Sequence, residues 1–319
     1  MLAGKITDDH GAKSNQRTLS IVSHNLFMVS KKLANWEQET RARLIVEADY
    51  IKNRDIVVLQ EVFDPHARQI LKAGLLHQYP YQTDVVGQTK GTQTAKWDST
   101  TGAFASWALE NGGTMVLSKW PILEQRQHIF SNACGVETAF NFGFVYAKID
   151  YPGGPLHVLG THLQPQDPYC FLVAPETVRR SQLQEIHAFM AHQLQSDGVS
   201  LLSNDTVIYA GDMNIIRSSA AEYASMLLAL EAVPPDEYVG LNATWHPLEN
   251  ALAGYYWPNG GPEFLDYVLL HNQYRRRVMR SRLEALMAKS GQEYMVASGD
   301  RYHELSDHYP VLMSIELLV

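Results

Sequence analysis

Six polar clusters stand at the ends of apolar runs in this chain of 319 residues. "SIVSHNLF" delivers Asn25, "IVVLQEVF" delivers Glu61, and "VLGTHLQ" delivers His162. "VIYAGDMN" delivers Asp212 and Asn214, "EFLDYVLL" carries Asp266 inside an apolar run, and "ELSDHYPV" delivers Asp307 and His308. Taken singly, each has a plain explanation: an acid after a strand forms a turn or caps a helix, and a lone histidine is a hydrogen-bonded structural residue. Asp266 resists that explanation, because burying a carboxylate is costly unless hydrogen bonds satisfy it.

Together the six have chemical sense. Mg2+ takes hard oxygen ligands, keeps several waters, and is held by one or two carboxylates plus the phosphate oxygens of a substrate. Glu61, with Asn25, Asp212, Asn214 and Asp307 as neighbours, fits that pattern. Zinc would ask for His and Cys clusters, which are absent. His162 and His308, with carboxylates to spare, supply a base, a donor to phosphate and an orienting group. This is the equipment for metal-assisted attack of water on a phosphoester. The sequence has no nucleophile elbow, no P-loop and no dinucleotide fingerprint to compete with that reading.

The elements that must position these groups can be read from periodicity. Strands are predicted over 19–27, 55–63, 113–122, 205–214, 263–270 and the C-terminal run. The segments 142–150 and 155–164 form a hairpin around Pro152-Gly153-Gly154. Helices are predicted over 39–53, with Leu44, Ile45, Ala48 and Ile51 on one face, and over 181–195. The polar segment between Gly87 and Gly113 reads as a long loop. Arg275-Arg276-Arg277 reads as a solvated face. Many strands with a few helices predict one α/β domain of stacked sheets over residues 19–319, preceded by a polar extension over 1–18.

A hydrophobic fraction of 45% suits a substantial core, and no apolar run is long enough for a transmembrane helix. The N-terminus has no signal-like apolar stretch, so either the chain stays inside the cell or a leader has been removed. A net charge of -8 disfavours charge-driven binding of nucleic acid. Cys134 and Cys170 leave one disulfide or two free thiols open.

In their order along the chain, "HN", "LQE", "GTHLQ", "GDMN", "LDYV" and "SDHYPV" resemble the endonuclease/exonuclease/phosphatase (DNase I-like) superfamily. A narrower likeness is to the bacterial neutral sphingomyelinases. It is carried by "NWEQETRARLIVEADYIKNRDIVVLQEVFD" (35–64), "GGTMVLSKWPI" (112–122), "GFVYAKI" (143–149), "GTHLQPQD" (160–167) and "EYASML" (222–227). The resemblance implies a four-layered α/β sandwich, two mainly antiparallel sheets face to face with helices outside. It implies a divalent-metal hydrolase that cuts sphingomyelin to ceramide and phosphocholine, with Mg2+, or Mn2+ or Co2+, as the ion. A nuclease or other phosphoesterase of the same superfamily is the alternative.

Carried over residue by residue, Glu61 is the principal metal carboxylate and Asn25 lies beside metal and phosphate. Asp212 and Asn214 hold the attacking water and the phosphate. His308 is the base, Asp266 orients it, His162 donates to a phosphate oxygen, and Asp307 neighbours the metal. Phe63, Trp107, Tyr169 and Trp257 are candidates to receive the choline cation. "NACG" and "PYCF" align with cysteines that the family joins, which implies a Cys134–Cys170 disulfide, an oxidising compartment and hence a secreted rather than cytoplasmic protein.

Two departures from the family stand out. An edge Ca2+ site near "EVFD" is in doubt, because Pro65 follows that turn and the acidic pair before "GG" is Glu110-Asn111. The membrane-touching hairpin before "SDH" here reads "ASGDRYHEL" (297–305), whose Gly299-Asp300-Arg301 tip is polar. Weak membrane contact, weak haemolysis, sphingomyelin in membranes or micelles as partner, no nucleic acid, and a monomer are the expectations.

Overall fold

The computed structural model describes residues 16–88, 96–200 and 202–318. Its strands are β1 (Gln16–Met28), β2 (Ile56–Val62), β3 (Tyr81–Gln82), β4 (Ser99–Gly102), β5 (Met115–Ser118), β6 (Ile122–Ile129), β7 (Gly143–Ile149) and β8 (Leu156–His162). There follow β9 (Thr206–Asp212), β10 (Ala232–Val233), β11 (Glu237–Gly240), β12 (Asp266–His271), β13 (Val278–Ala285), β14 (Lys289–Met295), β15 (Arg301–Glu304) and β16 (Val311–Leu318). The helices are α1 (Gln38–Glu47), α2 (Pro65–Leu75), α3 (Pro175–Ser196), α4 (Ala220–Ala229) and α5 (Ala251–Tyr256).

Two seven-stranded sheets form, in the orders β11-β13-β16-β1-β2-β5-β3 and β10-β12-β9-β8-β7-β6-β4, with β14 and β15 as a separate ribbon. Most neighbours are antiparallel; β1–β2 and β8–β9 are parallel pairs at the centre of each sheet. The period of two along β2 explains the layering. Ile56 and Val58 point to a core shared with Val145, Val158 and Tyr209 of the other sheet. Val57 and Leu59 point the other way, to Ala42, Ile45, Leu71 and Leu75 of α1 and α2. A strand buried on both faces reads as a continuous apolar run, as "IVVL" does. On the far side, Leu183, Ile186, Met190 and Leu194 of α3 cover the second sheet. Helix, sheet, sheet, helix is the four-layered sandwich. Each buried aliphatic side chain contributes about 1.5–3 kcal/mol, so the shared layer fixes one sheet against the other.

Several sequence expectations are corrected. Helix α1 stops at Glu47, not at residue 53: Ala48 turns extended and its N–H returns to Ile45 O. The apolar period runs on because Tyr50 and Ile51 are buried in the turn that follows, not in a further helical turn. Helix α3 begins earlier than predicted, at Pro175, which suits a first helical position. The stretch between Gly87 and Gly113 is not all loop, since β4 pairs with β6; its residues 89–95 lie outside the described residues. Strand β6, "ILEQRQHI", was not foreseen because its polar residues break the apolar pattern.

Arg277 is buried, with a guanidinium N–H to Gly154 O at 3.1 Å, so the arginine run is only partly solvated. It serves the carbonyls of the Pro152-Gly153-Gly154 turn, which no strand partner satisfies. Of the N-terminal extension, residues 1–15 lie outside the described residues, and Gln16, Arg17 and Thr18 already belong to β1, opposite Leu318, Leu317 and Glu316.

Candidate active site

Strand direction brings the six clusters to one end of the sandwich. β1 and β2 run parallel, with Asn25 opposite Gln60, so Asn25 and Glu61 come together where the register shifts before Met28 pairs with Val62. β16 runs antiparallel to β1, with Ser23 opposite Val311, so Asp307 and His308 precede it at the same end. In the second sheet His162 pairs with Asp212, and Asp266, the first residue of β12, faces Asp212, the last of β9. Glu61, His162, Asp212, Asn214, Asp307 and His308 all line one cleft. Glu61 and Asn214 both hold left-handed backbone, at φ 55 and φ 50. Such conformations cost free energy in non-glycine residues and cluster where function demands a particular aim. Gly113 makes room beneath Glu61: at φ +70, a Cβ on it would meet Phe63 Cε1 at 2.8 Å and Glu61 Cα at 3.0 Å.

The proton-handling part is compact. His308 Nδ1 donates to Asp266 Oδ2 at 2.8 Å, which leaves Nε2 facing Asp212 Oδ2 at 3.7 Å. Burial opposes charging of His308, but Asp266, Asp212 and Asp307 outweigh it and hold its pKa well above the ordinary imidazole value. Burial in turn pushes Asp266 up to about 6. His162 brackets Asp212 Oδ2 from another side, Nε2 at 3.6 Å. Burial lowers His162 to about 4, so its ring is neutral and can donate one N–H. Asn25 Nδ2 donates to Glu61 Oε1 and to Asp212 Oδ2, each at 3.0 Å. Asn214 N donates to Asp212 Oδ1 and its Nδ2 to Leu163 O, both at 2.9 Å.

The donor set fits a hard divalent cation at Glu61 and Asp307. Burial first, and then the nearby Asp307 carboxylate, push Glu61 up to about 8, and burial raises Asp307 as well. Two acids that repel each other at a cleft floor form an oxygen pair that a small cation satisfies. A second grouping is geometrically possible, since ligand atoms of Asp212, Asp266 and His308 lie within 4.8 Å of one another. There Asp266 Oδ2 accepts from His308 and the Asp212 oxygens from Asn25 and Asn214, which leaves Asp266 Oδ1 as the carboxylate oxygen of that grouping without a partner among the described residues.

The edge of the site near the "EVFD" turn is tied by hydrogen bonds within the protein. Phe63 O accepts from Asn111 Nδ2 at 3.2 Å and from Arg68 Nη1 at 3.3 Å. A guanidinium and an amide thus both serve this carbonyl at the edge of the site. Asp64 is spent as the cap of α2, accepting from the N–H groups of His66 and Ala67.

Phe63 corrects a sequence expectation: it is a core residue packed edge-on against Phe140 and Phe142, away from the cleft lining. Of the other aromatic candidates only Trp257 lines the cleft, joined there by Trp245, while Trp107 and Tyr169 are exposed elsewhere. Cys134 and Cys170 are joined as a disulfide with Cα atoms 5.1 Å apart.

Sequence reasoning missed the residues that hold the site in place. His24 Nε2 donates to His308 O at 3.0 Å, and its Nδ1 accepts from Tyr50 Oη. Ser306 Oγ donates to Asn25 O, and Thr244 Oγ1 accepts from the backbone N–H groups of Leu265 and Asp266. Arg41 is fully buried and donates to the carbonyls of Leu26, Phe27, Trp36 and Leu305. Only His24, next to Asn25 in "SHN", carried a signal that could have been followed.

The fold and cleft define a class: residues 22–308 match the Endonuclease/Exonuclease/phosphatase family, and the chain belongs to it. Its relatives narrow the place within that class. It is 39% identical to a sphingomyelinase C from Bacillus cereus, over 94% of this chain and 89% of the relative. Among solved structures, the sphingomyelinase C of Streptomyces griseocarneus superposes with a TM-score of 0.85 at 38% identity, covering 93% of this chain and 99% of that one. A beta toxin variant from Staphylococcus aureus with bound magnesium ions also gives 0.85, at 36% identity and the same coverages.

Proposed function

We propose that this chain hydrolyses sphingomyelin to ceramide and phosphocholine with the help of a divalent cation, magnesium being the ion bound in a related structure. The observation that carries the reading is the His308–Asp266 pair at 2.8 Å, whose histidine lines the same cleft as Glu61 and Asp307. The cleft encloses about 280 Å3, at the small end of ligand sites, and takes a head group while the lipid chains stay outside.

Glu61 and Asp307 would hold the cation, which would supply positive charge against the phosphoryl oxygens. The positive charge of that cation would offset the acids that raise His308, so that its Nε2 is free to take the proton of the attacking water. Asp266 fixes the tautomer through Nδ1 and stabilises the imidazolium that forms. Asp212, ringed by both histidines and Asn25, holds that water in line. His162 donates its N–H to a phosphate oxygen, and Asn25 and Asn214 orient the phosphate. Trp245 and Trp257 line the cleft where the choline cation would rest on an aromatic face.

The lipid meets the chain in membranes or micelles, the chain acts as a monomer, and it works outside the cell, where its disulfide persists. The test is release of phosphocholine from sphingomyelin and phosphatidylcholine with Mg2+, Ca2+ or EDTA, alongside nicking of plasmid DNA. Release from sphingomyelin that needs Mg2+ and vanishes in His308→Ala is expected. Nicking without head-group release would move the chain to the nuclease side of its family.

A further inference from the structure

The polar hairpin tip draws attention away from an apolar surface elsewhere. Between the end of "GTHLQPQD" and the start of α3, the sequence runs Tyr169-Cys170-Phe171-Leu172-Val173. Tyr169 is 62% exposed, Phe171 81% and Leu172 101%. Single exposed apolar residues are ordinary, but large ones in succession mark a surface that meets something apolar. Their display is built, because the loop is fastened at its base. Cys170 is tied to Cys134, and Asp167 accepts from the N–H groups of Tyr169 and Val136 at 2.7 and 2.8 Å. Tyr169 and Phe171 stand edge to face at 6.1 Å.

The loop is continuous with the cleft. Pro165 and Gln166 line the cleft itself. The chain leaves from Gln166 and returns at Glu176, and both residues line the adjoining depression that Asn214 shares. Trp257 lines the same cleft, and Tyr255 and Tyr256 precede it in the chain, each half exposed. A rim of amphipathic aromatics around a polar cleft is the chemistry of a membrane interface, where one end of the ring is apolar and the other wet. A protein or a second copy seated on this loop would stand at the mouth of the cleft.

We propose that the disulfide-fastened loop 167–173, led by Phe171 and Leu172, is the surface by which this chain seats its cleft on a lipid layer. The proposal rests on the reading that the cleft takes a membrane-lipid head group, and it replaces the hairpin tip as the point of contact.

The test compares the unaltered chain with Phe171→Ser/Leu172→Ser in two arms. In the first, flotation with sphingomyelin–phosphatidylcholine vesicles in EDTA reads binding without turnover. In the second, phosphocholine release from a water-soluble, short-chain sphingomyelin with Mg2+ reads the cleft alone. The double variant should bind vesicles about tenfold more weakly, because two large side chains lose their apolar contact, and should turn over the soluble substrate within about twofold of the parent. Equal flotation of both chains, or no flotation of the parent, overturns the proposal. Equal loss in both arms also overturns it, by showing that the loop shapes the cleft. If sedimentation shows a dimer that the double variant dissolves, a second copy is the occupant and the proposal falls. If neither chain releases phosphocholine from any substrate, the proposed function fails, and the flotation arm still decides the surface.

Discussion

Replacing Asp266 with asparagine removes one charge and keeps the shape of the side chain. The carboxylate has no exposure, and its Oδ2 lies 2.8 Å from His308 Nδ1. When His308 takes a proton from water, an imidazolium forms against this carboxylate. With charge centres about 4 Å apart and an effective dielectric near 20, the attraction is about 4 kcal/mol. At about 1.4 kcal/mol per decade, its loss slows the chemical step by about a thousandfold. That lies within the roughly 10²–10⁴-fold range of positioned acid–base catalysis. An asparagine amide facing Nδ1 would also donate to the ring and leave the proton on Nε2, the wrong tautomer for a base. The assay is kcat and KM for phosphocholine release from micellar sphingomyelin, with an Mg2+ titration and a thermal melt. Asp266→Asn should lower kcat about a thousandfold, with KM and the Mg2+ half-saturation nearly unchanged. A loss of kcat below tenfold in a folded variant would refute the reasoning. So would a large rise in the Mg2+ requirement with kcat retained at saturation, because it would place the cation among Asp212, Asp266 and His308.

Glu61→Gln should raise the Mg2+ concentration for half-activity by at least about 100-fold, judged against the tenfold to 100-fold cost of losing a supporting ligand contact. The rise in melting midpoint that Mg2+ gives the parent should disappear with it. His24 is lowered to about 3 by burial, so between that value and its ordinary 6.5 the unfolded chain binds a proton that the folded chain refuses. This part of the stability is complete above pH 6.5 and is lost as pH falls. In EDTA, the unfolding free energy of the parent should therefore fall more steeply than that of His24→Asn between pH 6 and pH 4, by about 1.4 kcal/mol per pH unit. Identical slopes would exclude the effect. Ca2+ added to a chain saturated with Mg2+ should change neither activity nor melting midpoint, because Arg68 and Asn111 already serve the Phe63 carbonyl. Arg68→Ser/Asn111→Asp, which frees that carbonyl and restores an acid, should gain a Ca2+-dependent rise in midpoint.

The residues gathered at the candidate site were legible because, Asp266 apart, they stand beside the end of an apolar run, and a strand's end fixes its neighbour's position. Asn25, Glu61, His162, Asp212, Asp266 and His308 needed only parallel and antiparallel pairing to meet. Asn214 and Asp307 lie within two residues of such ends and travel with them. Phe63 shows the limit of that logic. It follows Glu61 by two positions, yet Glu61 has left-handed backbone, and the chain beyond it turns Phe63 inward against Phe140 and Phe142. Periodicity says which side of a regular strand a residue faces, and says nothing once φ changes sign.

Arg41 marks the deeper gap between pattern and structure. In the sequence it sits mid-helix in "ETRARLIV", where a cation reads as solvated. In the fold it has no exposure, and its donors reach Leu26 and Phe27 beyond Asn25, and Leu305 before Asp307. It therefore fastens the end of β1 to the loop before β16, two segments that carry candidate site residues from different ends of the chain. A buried guanidinium served by carbonyls alone would be costly. Here the nearby acids Asp307 and Glu61 offset part of that cost. The acids that would gather a cation thus also help to hold the arginine that keeps them together, and that interdependence exists only once both segments have been folded onto α1.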